Sequence, residues 1–133
     1  MNSLIDVLTT NSTSEEIARG FQEYRNFLAA SKDRFPASAY DSASAPWHYD
    51  YGDDRCPHDS WLESLVIREP ATGTRNEVRA IEISVSLLGA FHDGHMELRY
   101  DGVQSYSLGA KKPKNNIGPG DWLADQISLS EQN

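Results

Sequence analysis

The sequence predicts an α+β fold: an N-terminal amphipathic helix packed on an antiparallel β-sheet of about four to six strands, with a central hairpin at Asp93-Gly94. Three observations predict it. Ile17, Phe21, Tyr24 and Leu28 recur at steps of 4, 3 and 4, which is one face of an α-helix. Ile81, Ile83, Val85 and Leu87 alternate with Glu82, Ser84 and Ser86, and Met96, Leu98 and Tyr100 alternate with Glu97, Arg99 and Asp101. That period of two marks strands with one buried and one wet face. Between the two runs stands Asp93-Gly94, a dipeptide that tolerates the positive φ angles of a type I′ turn.

The elements follow in chain order. Residues 4–8 (LIDVL) form a short apolar turn. Ser12 with Glu15, or Thr13 with Glu16, has the spacing of a capping box, and both acids favour the positive end of a helix. The helix then runs over about 13–32, because Pro36 pushes the residue before it out of the helical region. Residues 37–57, with Pro46, Gly52 and Pro57, form an ordered loop with one helical turn near 37–43. WLESLVI at 61–67 is a strand with Trp61, Leu65 and Ile67 on one face, and 70–74 (PATGT) is a turn. A two-residue Asp93-Gly94 loop sets His92 opposite His95, Phe91 opposite Met96, Gly89 opposite Leu98 and Leu87 opposite Tyr100. Val103, Tyr106 and Leu108 suggest a further short strand. Residues 111–121 form a loop with a basic cluster (Lys111, Lys112, Lys114), and the last strand spans about 122–129 with Ile127 and Leu129 inward.

The 133 residues and 14.9 kDa suit one domain, 1–133, with a helical part at about 1–45 and a sheet part at about 58–130. Twelve Lys and Arg against twenty Asp and Glu give a formal charge of -8. That argues against nucleic acid and against an anionic membrane surface as partners, since both need clustered cations. No apolar run has the length of a membrane span, and the N-terminus has neither the basic nor the apolar region of a secretory signal. The single Cys56 excludes an internal disulfide, so the expected compartment is the cytoplasm.

Acidity is uneven: Asp41 to Glu69 holds seven acids and two bases. Within it, Trp47, His48, Tyr49, Asp50, Asp53 and Asp54 combine aromatic rings with carboxylates, a surface suited to a basic protein partner, a cationic ligand or a sugar. The bland use of the same segment is packing, with Trp47 and one tyrosine filling the space beneath the sheet. The hairpin register brings His92 beside His95, and Cys56 and His58 would complete a Cys/His3 set for tetrahedral zinc. Against zinc, Cys-x-His is not a common ligand spacing, and a histidine pair in a turn needs no function. His58-Asp59 could orient a general base but more simply caps a loop-to-strand junction. Acids flanking Cys56 disfavour its thiolate, and no phosphate-binding, zinc-protease, hydrolase or deaminase motif is present in the sequence.

Four stretches carry a resemblance: FQEYRNFL at 21–28, APWHYDYGDDRCPHDSWLESL at 45–65, LLGAFHDGHMELRYDGVQSYSL at 87–108 and GDWLADQISL at 120–129. Together they resemble a family of small bacterial proteins of unknown function, in which a helix precedes an HDSWLE segment, a strand and a terminal strand. The pattern is similar in style to small immunity proteins of bacterial toxin systems. The resemblance implies no activity and no site residues. It implies a strand beyond 122–129, so a chain ending at Asn133 is expected to leave an open sheet edge for homo-oligomerisation. The expected function is a non-enzymatic protein-binding module, with a metal-binding domain or metal-dependent enzyme as the alternative.

Overall fold

Thr13 accepts from the backbone N–H of Glu16 while the Glu16 carboxylate accepts from that of Thr13, at 3.2 and 2.7 Å. This reciprocal pair starts the main helix, α2 (Ser14–Ser31), and selects the second of the two capping boxes open to the sequence. The same device starts α1 (Leu4–Thr9), where Ser3 and Asp6 exchange bonds. A 3-10 turn (Lys32–Arg34) ends α2, and Pro36 precedes α3 (Ala37–Ser44), longer than the single turn expected there. The computed structural model describes residues 3–109, 121–122 and 124–130. The basic cluster at Lys111, Lys112 and Lys114 therefore lies outside the described residues.

The chain resolves into two compact units, Met1–Cys56 with Leu123–Asn133, and Pro57–Trp122. In the first, the apolar face of α2 is covered from within the unit. Leu4, Tyr24, Leu28 and Ala43 form the buried cluster, with Phe21, Phe27, Phe35, Tyr40, Tyr49 and Ile127 packed against it. Gly20 lets α1 come close: a Cβ there would meet the Val7 side chain at 3.3 Å.

The second unit is an antiparallel sheet in the order β5 (His95–Val103), β4 (Ile81–Leu88), β1 (Ser60–Arg68), β6 (Asp121–Trp122). Three strands are long, β1, β4 and β5, and β6 adds two residues beside Ser60 and Trp61. A separate ribbon pairs β2 (Ala71–Thr72) with β3 (Val78–Arg79). Its turn falls a little later than 70–74, with Gly73 at φ 89° and Asn76 at φ 55°.

Two registers differ from expectation. A bulge between Leu62 and Ser64 inserts Glu63 into β1 and reverses the parity beyond it. Leu62, Leu65 and Ile67 therefore share the face of Leu87, Val85 and Ile83, while Trp61 pairs with Leu88 on the face of Ser84 and Ser86. In the hairpin, Leu88 pairs with His95, Leu87 with Met96, Val85 with Leu98 and Ile83 with Tyr100. The loop is not two residues but Gly89–Gly94, closed by Gly89 N–H donating to the Gly94 carbonyl and His92 N–H to the Gly89 carbonyl, both 2.8 Å. A type I′ turn needs positive φ at both central residues. Here His92, at φ 59°, takes the left-handed conformation, and neither Asp93 nor Gly94 does.

Beyond Val103, residues 104–109 form no strand, and among the described residues of the expected terminal strand only Asp121–Trp122 are paired. Ile127 and Leu129 lie in an irregular segment, 124–130, which belongs to the helical unit.

Candidate functional site

The acidic aromatic loop is a chain of tight turns. His48, Asp50, Asp53 and Cys56 donate their N–H groups to the carbonyls three residues back, those of Ala45, Trp47, Asp50 and Asp53, at 2.9–3.3 Å. Asp50 and Asp53 reinforce them as Asx turns, accepting from the N–H of Gly52 and Arg55 at 3.0 and 2.9 Å.

This folding turns His48 inward, where it is 5% exposed. Its Nδ1 stands 2.8 Å from the Ser42 carbonyl and its Nε2 2.6 Å from the Asp125 carboxylate. Both partners accept and neither donates, so the ring satisfies them fully only as an imidazolium with two N–H groups. Burial alone would lower the His48 pKa. The Asp125 bond and charge, with the Ser42 carbonyl, outweigh it and raise the value above 6.5. With both nitrogens donating, no lone pair remains for base chemistry.

Tyr49 donates to the Asp125 carbonyl at 3.1 Å and packs edge-on against Phe21 and Tyr24. Tyr24 donates to the Ile127 carbonyl at 2.8 Å and accepts the Ile127 N–H at 3.0 Å. Gln126 accepts the N–H of Ile5 at 3.1 Å. Burial, before any other influence, raises the pKa of both phenols, which stay neutral donors. Residues 125–127 are thus clasped to α1, α2 and the loop by five hydrogen bonds.

The other loop residues divide. Trp47 lies parallel to His48, with the Arg55 guanidinium 5.7 Å above its ring. Asp53 holds Arg55 through two side-chain bonds of 2.9 and 2.7 Å, and the Arg55 side chain and N–H together pull its pKa down to about 2. Asp50 and Asp54 remain exposed. Beside Asp50, a cleft of about 400 Å³ opens between α2, α3 and the loop. Phe21, Tyr24, Leu28, Tyr40, Pro46 and Tyr49 wall it, with Arg25, Ser44 and Asp50 among its polar lining.

The four proposed zinc ligands do not assemble. His92 sits in the six-residue loop against the Trp61 ring (centroids 4.4 Å apart), rather than opposite His95. His95 meets Glu63 at 2.7 Å, His58 meets Asp59 at 3.3 Å, and the buried Cys56 thiol donates to the His48 carbonyl at 3.0 Å. Among the described residues no three His, Cys, Asp or Glu side chains form a group able to hold a metal ion. At the His58-Asp59 junction, Asp59 has φ 62° and donates its N–H to the Trp122 carbonyl at 2.8 Å.

Sequence reasoning missed Asp125 and the tyrosine–Ile127 pair. They lie 77 and 103 residues from their partners, and no local pattern joins such positions. The available signal was a lone carboxylate in an apolar run, Asp125 within WLADQISL. No protein-family profile, curated protein or solved structure matches the chain. Among the described residues no helix is long and apolar enough to cross a membrane.

Proposed function

We propose that the chain is a non-enzymatic protein-binding module whose partner is a basic protein. The cleft beside Asp50 carries this reading: an aromatic-walled recess with a carboxylate at its lip suits an apolar side chain flanked by Lys or Arg. The formal charge of -8 favours encounter with such a partner. An immunity-type role is one form of this activity, in which occupancy blocks a basic toxin. Of the six loop residues expected to bind, Asp50 and Asp54 are the ones offered for contact. Tyr49 walls the cleft beside them, and Trp47, His48 and Asp53 shape the loop that presents them.

The test is fluorescence anisotropy with a labelled peptide carrying one Leu between lysines, and its isomer with glutamates in their place. The lysine peptide binds, and added salt weakens it. Ser44→Trp, which fills the cleft, and the pair Asp50→Asn/Asp54→Asn each reduce affinity by about tenfold or more. Equal binding of the two peptides, or unchanged binding by both variants, overturns the proposal.

A further inference from the structure

The sheet order leaves β5 without a strand neighbour on its outer side among the described residues. It is nine residues long, as long as any strand in the sheet. Edge strands are normally guarded by shortness, proline, bulges or charged side chains, lysine above all. Neither proline nor lysine occurs in His95–Val103, and its charges alternate: Glu97, Arg99, Asp101. These charged residues share one face with His95, while Met96, Leu98 and Tyr100 share the other, where Tyr100 is 47% exposed.

An alternating edge can be complementary to itself. In an antiparallel pair, residues facing one another keep a constant sum of numbers, and opposed Cβ atoms are about 4.5–5.5 Å apart. With Leu98 opposite Leu98 of a second copy, Glu97 faces Arg99 and His95 faces Asp101, each twice by symmetry. Met96 then faces Tyr100 on the apolar side. Centring on Arg99 instead opposes Glu97 to Asp101, a repulsive pair. Centring on Tyr100 keeps Arg99 with Asp101 but leaves Glu97 against Val103.

Two features favour the Leu98 register. Arg99 is already aimed along this face by Glu82 and Asp101, at 3.2 and 3.1 Å. The register shift between Ile81 and Ile83 sets both Asp101 and Gly102 (φ 62°) against Glu82, so the regular edge ends at Tyr100, and the Leu98 register keeps Met96, Glu97, Arg99 and Tyr100 within it.

We infer that β5 is a dimerisation edge on which a second copy of this chain pairs antiparallel about Leu98, joining two sheets into one. The site lies in the sheet unit, apart from the cleft lined by α2 and α3, and stands or falls independently of the proposed function.

Sedimentation equilibrium over a concentration series is the test, with circular dichroism to check the fold of each variant. The wild-type mass rises from 14.9 kDa toward twice that value. Glu97→Arg alone sets like charges against Arg99, and Arg99→Glu alone sets them against Glu97, so each weakens self-association by more than about tenfold. An equal mixture of the two restores the dimer, because both pairs between positions 97 and 99 are again opposite in sign. A wild-type chain that stays at 14.9 kDa throughout overturns the inference. Dimerisation of either single variant at wild-type strength also overturns it, and of Glu97→Arg alone it points to the Tyr100 register instead. Should Arg99→Glu not fold, concentration-dependent hydrogen-exchange protection of residues 95–101 in the wild type supports the edge, and its absence refutes it.

Discussion

The helical and sheet units solve one problem in different ways. In the helical unit, buried polar atoms find partners far along the chain: His48 at Asp125 and Tyr24 at Ile127. In the sheet unit, order comes from neighbouring strands in register, and among its described residues Val85 and Leu87 are the buried hydrophobic ones. There the fully buried Ser60 hydroxyl and the Trp122 indole N–H have no hydrogen-bond partner among the described residues. Trp61, Val66 and Tyr100 stay nearly half exposed. One unit is closed by specific long-range bonds. The other is built by repetition, and repetition leaves surface over, including the edge of β5.

Core truncations break the comparison most severely. Leu28→Ala and Leu87→Ala each remove a side chain exposed by 3% or less, at a cost of about 2–5 kcal/mol. Hydrogen exchange should lose protection in α2 for the first and in β4 and β5 for the second. His48→Gln comes next, at about 1.5–3 kcal/mol, because it removes a hydrogen-bonded charge and leaves Asp125 with a weaker donor. Its cost depends on pH. The folded His48 pKa lies above 6.5, so the pairing contributes fully below pH 6.5 and fades as pH rises through the folded value. Thermal melts of the two proteins therefore converge toward alkaline pH. Tyr24→Phe is smaller, about 1–2 kcal/mol, with faster exchange of the Ile127 amide as its signature. Asp53→Asn is the smallest: its partner Arg55 is exposed, and the melting temperature should hardly move while Arg55 loosens over Trp47.

Local signals were legible and distant ones were not. The helix start, the α2 face and the alternation of β4 and β5 are written in residues three, four or two apart, and each is found where expected. The hairpin register slipped by four residues, with Leu87 opposite Met96 instead of Tyr100. An even displacement preserves which residues share a face, so alternation cannot detect it. A loop closed by Gly89 and Gly94 could not be told from Asp93-Gly94 by turn chemistry, because both offer glycine at the reversal. The Glu63 bulge moved Trp61 to the other face for the same reason: parity is counted from a pairing that sequence does not display. In the candidate site, residues 45–56 are joined by local turns, but the role of the loop's histidine depends on a carboxylate 77 residues away.

The central claim is that the 45–56 loop is locked by a buried His48 imidazolium, which leaves Asp50 and Asp54 exposed. Nitrogen-15 NMR of the histidine rings over a pH titration tests it most directly. The account predicts that below pH 6.5 both His48 nitrogens carry slowly exchanging protons, with a midpoint raised above 6.5. A His48 ring with one bare nitrogen below pH 6.5, and a midpoint under that value, would contradict it.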